Sequence, residues 1–346
     1  MERRGASINS ISRNSATLGA VREARRHAED LSGCHRTGSN DLATFVDNAH
    51  VLVSIITPSY QQSPFIERTL ESVARQGGDI EHIVMDGGST DGTVAILERW
   101  GDRISFSSGR DGGQTSAINA GMARARGEIL GYLNSDDIYY EGAVAAAVEA
   151  FERDPDADIV YGDAVHIDAD DRMVGAYPTE EWSIERLKLV CFLCQPAVFF
   201  RRRVIERFGL FDARLNYCMD YEYWLRLGMR GARFVHIPAR LAASRVHDAT
   251  KTRTRPREAC TETNGMLRER IGYVPDNWLW NYAHAVLDGR GVARSTDRGY
   301  LLRAALLTTT AAFRWNGFPS MSLLRGTGSW FIHGSSFVTR RAEPDA

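Results

Sequence analysis

The chain has 346 residues, 43% of them hydrophobic, with a net charge of −2, enough to bury a real core and ordinary for a globular protein. The charge is unevenly spread: residues 51–250 hold nine more acids than bases, and residues 251–346 six more bases than acids. Five cysteines at irregular spacing (Cys34, Cys191, Cys194, Cys218 and Cys260) argue against a secreted disulfide framework and for a reducing, cytoplasmic compartment.

Residues 1–48 are polar, lack the apolar segment of a secretory signal and read as a flexible tail. From Val51 the pattern sharpens. "VLVSIIT" is a β-branched run of the kind that forms a buried strand, and "PSYQQSP" is expected to break it. "FIERTLESVARQ" has helical spacing, with Phe65, Ile66, Leu70 and Val73 on one side. "DIEHIVMD" reads as a second strand, "GGSTDGT" as a turn, and "TVAILERW" as a helix capped by Ser89, Thr90 or Asp91. "RISFSS", "TSAINAGMARA", "EILGYLN", "EGAVAAAVEAFER" and "DIVYGDAV" continue the alternation.

Such alternation implies βαβ units and a parallel sheet, whose ligands sit beyond the C-terminal ends of the strands. "TPSY", "MDGGSTD", "SGRDGG" and "NSDD" each follow a strand, so Asp86, Asp111, Asp136 and Asp137 are expected along one edge. Helix and turn caps would explain each Asp alone. They do not require four to converge, whereas a site for a cation and a polyphosphate does. No GxxxxGK[ST] or GxGxxG loop follows any strand, which leaves a carboxylate-bound Mg²⁺ or Mn²⁺ to hold the phosphates. "CFLC" has the CxxC spacing of a zinc or redox motif, but its apolar flanks and the lack of a second pair favour buried structural thiols.

Taken in order, "VSIITPSYQQSPFIERTLESVARQ", "HIVMDGGSTDGT", "GQTSAINAGMARARGEILGYLNSDD" and "MDYEYWLRL" resemble family 2 glycosyltransferases. The resemblance implies the GT-A fold: an α/β architecture with a Rossmann-like, mostly parallel central sheet flanked by helices. The glycosyltransferase domain would span residues 49–255, with a nucleotide-sugar half to about 140 and an acceptor half beyond it. Residues 256–346 would form a helical C-terminal extension.

Carried over residue by residue, the resemblance places Thr57, Pro58 and Tyr60 around the nucleotide base, Asp86 as acceptor for a uracil N–H, and Asp111 at a further nucleotide contact. Gly87 stands where a second acid is often found. Asn134, Ser135 and Asp136 occupy the DxD position, with Asp136 as metal ligand and Asn134 able to reach the ribose while bringing no charge. Asp137 would cap the following segment or orient the sugar. Asp220 aligns with the catalytic base, and the helix N-terminus on which it would lie favours an ionised carboxylate. A cap role is its alternative, and Glu222 is the next candidate base. His247 falls beside the diphosphate or the metal, with Arg245 and Lys251 as alternatives for that charge, and Gln195 and Pro196 near the sugar.

The implied reaction is inverting transfer from a nucleotide sugar, a UDP-sugar first, to a saccharide or lipid-linked acceptor, with a role in cell-surface polysaccharide synthesis. A sugar nucleotidyltransferase and a non-catalytic nucleotide-sugar binding protein remain as other readings. No nucleic-acid partner is expected. Peripheral membrane contact, through "YLLRAALLTTTAAFRW" and its arginines, and a homodimer stay open.

Overall fold

The computed structural model describes residues 53–325 apart from Ala249, Ala293, Ser295, Thr296 and Arg298. The tail expected over residues 1–48, and Cys34 within it, lie outside the described residues. The chain divides into two compact units. The first takes in the described residues up to Ile184 and then Cys191–His247, and the second comprises Glu185–Val190 and the residues from Asp248 on.

In the first unit, β1 (Val53–Ser59), α1 (Ile66–Ala74), β2 (Ile80–Asp86), α2 (Thr93–Trp100), β3 (Ser105–Ser108), α3 (Gln114–Arg124) and β4 (Ile129–Tyr132) follow the expected alternation. Next come β5 (Ile138–Tyr139), α4 (Ala143–Arg153), β6 (Ile159–Ile167) and β7 (Met173–Ala176), then α5 (Ile184–Leu189), which runs into the second unit. A short 3₁₀ turn (Gln195–Ala197), β8 (Val198–Arg201), α6 (Arg202–Phe208), α7 (Met219–Met229) and β9 (Phe234–Arg245) complete the first unit.

The strands form one sheet in the order β3-β2-β1-β4-β8-β6-β9-β5, with β7 on β6. β3, β2, β1 and β4 pair in parallel, and β6 pairs in parallel with β9. β8 is antiparallel to both β4 and β6, which returns β6 and β9 to the direction of β1. The C-terminal ends of β1, β2, β3, β4, β6 and β9 therefore share one edge.

β1 does not stop at "TP": it runs through Pro58 and Ser59, paired with Met85 and Asp86. β4 accompanies β1 only as far as Ile56, so Pro58 lies where β1 has a strand on one side alone, and its missing N–H removes no ladder bond on the other. The N-cap position of α2 is Gly92, at a φ of 101°, and not Ser89, Thr90 or Asp91; Asp91, one residue before it, accepts the Thr93 and Ser63 backbone N–H groups.

Two apolar clusters hold the helices to the sheet. Ile66 and Leu70 of α1 meet Val84, Leu97 and Trp100, and on the same face of the sheet Val73 of α1 and the alanine-rich α4, through Ala147, Ala150 and Phe151, join the cluster of Val53, Val160, Phe199 and Ala242. α3 sits so close to β1 that a Cβ at Gly121 would lie 2.5 Å from Ile56 Cγ2, so the approach requires glycine. The second unit holds α5 residues 185–189, α8 (Lys251–Thr254), α9 (Pro256–Ile271), α10 (Asp276–Asp288) and α11 (Tyr300–Asn316).

Candidate functional site

Apart from Lys251, every site residue expected from the sequence falls in the first unit, and most lie at the shared strand edge. After β1, Tyr60 is 61% exposed. Its ring and the carboxylate of Asp111 flank Gly87, where a Cβ would stand 3.3 Å from both Tyr60 Cδ2 and Asp111 Oδ2. Tyr60, Gly87 and Asp111 thus frame a slot narrow enough that a Cβ at position 87 would crowd both the ring and the carboxylate. Asp111 is exposed and accepts the Gly113 N–H on its Oδ1 (2.8 Å).

Thr57 and Asp86, expected at the base, both make hydrogen bonds within the protein. Thr57 is fully buried and its Oγ1 lies 2.9 Å from His82 Nε2, so its hydroxyl works inside the sheet. Burial holds the His82 imidazole neutral, with its pKa lowered to about 3. Asp86 is also buried. Its carboxylate accepts the Gly88 N–H, the Ser89 N–H, Ser108 Oγ–H (2.6 Å) and Ser89 Oγ–H (2.5 Å). Three of these donors sit on Oδ2 and one on Oδ1, so Oδ1 keeps the remaining acceptor capacity of the carboxylate. Pro58 is buried within β1.

The loop after β4 holds the second group. Asp136 Oδ2 lies 3.1 Å from His247 Nε2, a pair 111 residues apart in sequence, and both side chains keep some exposure, 19% and 10%. His247 packs on Phe65, ring centroids 4.7 Å apart. Ser135 is buried. Asp137 is buried too and faces inward rather than toward a sugar. It accepts the Arg245 backbone N–H (2.8 Å) and an Asn134 Nδ2–H (3.1 Å). Burial first, and then the charge of Asp136, push its carboxyl well above the usual carboxylate range.

Asn134 has no amide donor to spare. Nδ2 donates to Asp137 and to Gln195 Oε1 (3.0 Å), and Oδ1 accepts from Gln114 Nε2 (2.8 Å). Gln195 in turn donates to the Tyr132 carbonyl (2.6 Å), and both it and Pro196 are buried. The position read as a weakened DxD ligand is the centre of an amide network.

Arg245 does not serve a phosphate. Its side chain is 0% exposed, donating to the Asp136 and Asp168 carbonyls, pairing with Asp171 at 2.5 Å and lying over the Phe65 ring. Arg68 reaches the same Asp171 from α1. Phe65, Asp171 and Gln114 were not singled out in the sequence; no local motif marks residues that act only by holding a distant loop. Lys251, the other alternative, belongs to α8 of the second unit.

Asp220 lies in the first turn of α7, part-buried, with the Tyr221 N–H on its Oδ1 (2.7 Å). Its charge is felt by Tyr132, whose phenol pKa is raised by burial first, then by Asp220, then by Asp137. One phenol thus stands within electrostatic reach of both the base position and the loop that carries Asp136. Burial, followed by Asp220, also pushes up the Cys191 thiol. Cys191 and Cys194 are free thiols, half-buried and buried. Glu222 is not a second base: it is fully buried and paired with Arg226 (2.8 Å).

A mostly parallel sheet that gathers the candidate side chains along one strand edge has the GT-A architecture of sugar-transfer enzymes. Residues 54–209 match the family described as Glycosyl transferase family 2, and the chain belongs to that family. A PGL/p-HBAD biosynthesis glycosyltransferase of Mycobacterium tuberculosis is 32% identical over 196 residues, covering 54% of this chain and 74% of the relative. Among solved structures, S. aureus TarS 1–349 in complex with UDP-GlcNAc aligns with a TM-score of 0.54 at 16% identity, over 76% of this chain and 81% of that one. This chain spans 55% of the longer TarS chain. The mannosyltransferase PcManGT of Pyrobaculum calidifontis, in complex with GDP-Man and Mn²⁺, aligns with a TM-score of 0.51 at 18% identity, over 93% and 90%. At these identities the likeness to the solved structures is one of fold.

Proposed function

We propose that this family 2 glycosyltransferase transfers a sugar from a UDP-sugar, with inversion, to a hydroxyl of a saccharide or lipid-linked acceptor. The observation that carries the reading is the meeting of Asp136 and His247 at 3.1 Å on the sheet edge that also holds Tyr60, Gly87 and Asp111. The slot suits a flat base stacked on Tyr60, with Asp111 as the exposed acceptor for a base or ribose donor; in this reading Asp86 shapes the loop. TarS with UDP-GlcNAc and PcManGT with GDP-Man support a nucleotide-sugar donor on this fold, and the mycobacterial relative supports an acceptor in glycolipid or cell-surface glycan synthesis.

The donor set fits a divalent cation in part. Among the described residues no group of three or more His, Cys, Asp or Glu side chains could hold an ion alone. Asp136 and His247 would supply two ligands, leaving the rest to phosphate and water, as such ions commonly accept. An imidazole ligand suits Mn²⁺ better than Mg²⁺, and Mn²⁺ is the ion present with PcManGT. When bound, the cation supplies Lewis-acid stabilisation of the leaving diphosphate. Asp220 acts as the base that accepts the acceptor hydroxyl proton, the helix N-terminus favouring its ionised form. The Asn134 network keeps the loop bearing Asp136 fixed against Gln195 and Tyr132.

Equilibrium binding of UDP and GDP, each with Mn²⁺ or with EDTA, tests base and metal together. UDP affinity should rise roughly tenfold or more with Mn²⁺, about 1.4 kcal/mol, and Asp136→Ala should erase that gain. Equal UDP affinity in Mn²⁺ and EDTA would refute the metal assignment, and tighter binding of GDP would refute the uracil assignment.

A further inference from the structure

We infer that the second unit docks on an anionic lipid surface through one face of α11 and the turn that follows it. α11 buries Tyr300, Ala304, Ala305, Thr308, Ala311 and Ala312, so its inner face is already satisfied. Its outer face carries Leu302 (46% exposed), Leu306 (57%) and Phe313 (52%). At 100° per residue these three fall within about 40° of one another, and Arg303 and Arg314 lie together about 60–80° to one side. The helix therefore presents a narrow apolar stripe with a basic rim, the arrangement of helices that lie in a membrane interface.

The stripe continues past the helix. Phe318 (80% exposed), Met321 (64%) and Leu324 (44%) follow within a few residues. They are held there. Asp276 accepts hydrogen bonds from Ser320 and Ser322, Leu323 is buried, and Asn316 exchanges two hydrogen bonds with the Val274 backbone. Six large apolar side chains thus stay exposed on a fixed backbone, where fraying does not explain them.

Charge decides the occupant. Residues 300–325 contain Arg303, Arg314 and Arg325 and no Asp or Glu. Arg303 has an ion pair at 3.6 Å with Asp297, and Arg314 lies over the Trp315 ring. A second copy meeting this face about a two-fold axis would bring arginines against arginines with no acid of the face to meet them. An anionic headgroup layer meets them directly, while the stripe enters the acyl boundary. No described helix is long and apolar enough to cross a membrane, so the contact is a surface one.

The test uses the full chain and co-sedimentation with phosphatidylcholine vesicles, with and without phosphatidylglycerol. Partitioning should be at least tenfold stronger on the anionic vesicles, and should fall when salt is raised from about 0.1 M to about 1 M, where the screening length drops from about 10 Å to about 3 Å. Leu306→Ser with Phe313→Ser, and separately Arg314→Gln with Arg325→Gln, should each weaken it severalfold, with circular dichroism and UDP binding unchanged because all four side chains are exposed. No co-sedimentation, equal binding to neutral vesicles, or unchanged binding of both double variants would overturn the inference. A drop in oligomer mass by light scattering in the Leu306/Phe313 variant, without loss of vesicle binding, would also overturn it and make the face a contact between copies.

Discussion

Asn134→Asp restores the acid expected at the first DxD position, and the structure predicts that it damages the enzyme. The substitution replaces Nδ2, which donates two hydrogen bonds, by one oxygen that can only accept. That oxygen then faces both Gln195 Oε1 at 3.0 Å and Asp137 Oδ2 at 3.1 Å. Gln195 cannot turn to help, because its Nε2 is held by the Tyr132 carbonyl at 2.6 Å. Its buried oxygen is left unpaired, at a cost of about 1–3 kcal/mol. The second contact can be remade only with a proton, since a new carboxylate beside the buried Asp137, whose pKa is already raised, disfavours ionising both. Together the loss should be about 2–4 kcal/mol, a fall in melting temperature of very roughly 5–10 °C for a domain of this size. Carboxyl groups whose folded pKa values are raised lose stability as pH rises, so the deficit should be larger at pH 8 than at pH 5. Urea unfolding at the two pH values, with Asn134→Ala as the uncharged control, measures it. A variant as stable as the parent, or one with tighter Mn²⁺-dependent UDP binding, would show that Asn134 is a weakened ligand and not the network's centre.

Asp220→Asn keeps the shape and removes the proton acceptor, so turnover should drop by roughly 10² or more while UDP affinity changes little. Joint loss of UDP binding and stability would make Asp220 a structural cap instead. Acid should destabilise the protein through His82. Its folded pKa of about 3 lies below the ordinary 6.5, so the unfolded chain binds the extra proton, and stability present above pH 6.5 is lost as pH falls toward 3. Between pH 6.5 and 5 this amounts to about 2 kcal/mol, and His82→Gln should remove that part of the slope in urea unfolding; parallel slopes would refute the assignment.

Much of the first unit was legible because its strands are short β-branched runs and its helices carry apolar residues at helical spacing. α2 matches the run "TVAILERW" (Thr93–Trp100), and β2 and α3 depart from theirs by a residue or two. Pro58 misled because its effect depends on how far β4 follows β1, which is a property of the assembled sheet. The edge that gathers Asp86, Asp111 and Asp136 follows from strand polarity, and that is visible in the order of motifs. What each carboxylate does there was not visible. Asp86 is held by serines and backbone of its own turn and of β3, and Asp137 is closed over by Arg245 from 108 residues away. Arg245 and Glu222 were read as free for chemistry because sequence shows the charge of a side chain and not its burial or its partner.

The slot at Gly87 has a consequence for the history of the family. A Cβ there would already press on Asp111 Oδ2 and Tyr60 Cδ2, and an acid at 87 would put a second carboxylate into the space that Asp111 occupies. The two positions therefore compete to place one negative group beside the aromatic ring, from β2 in one case and from β3 in the other. A lineage that acquires the acid at 87 brings two carboxylates together unless the acid at 111 moves aside or is lost. Substitutions at these two sites should accordingly be inherited as a pair, so that an acid at both is rarer among relatives than the separate frequencies would give.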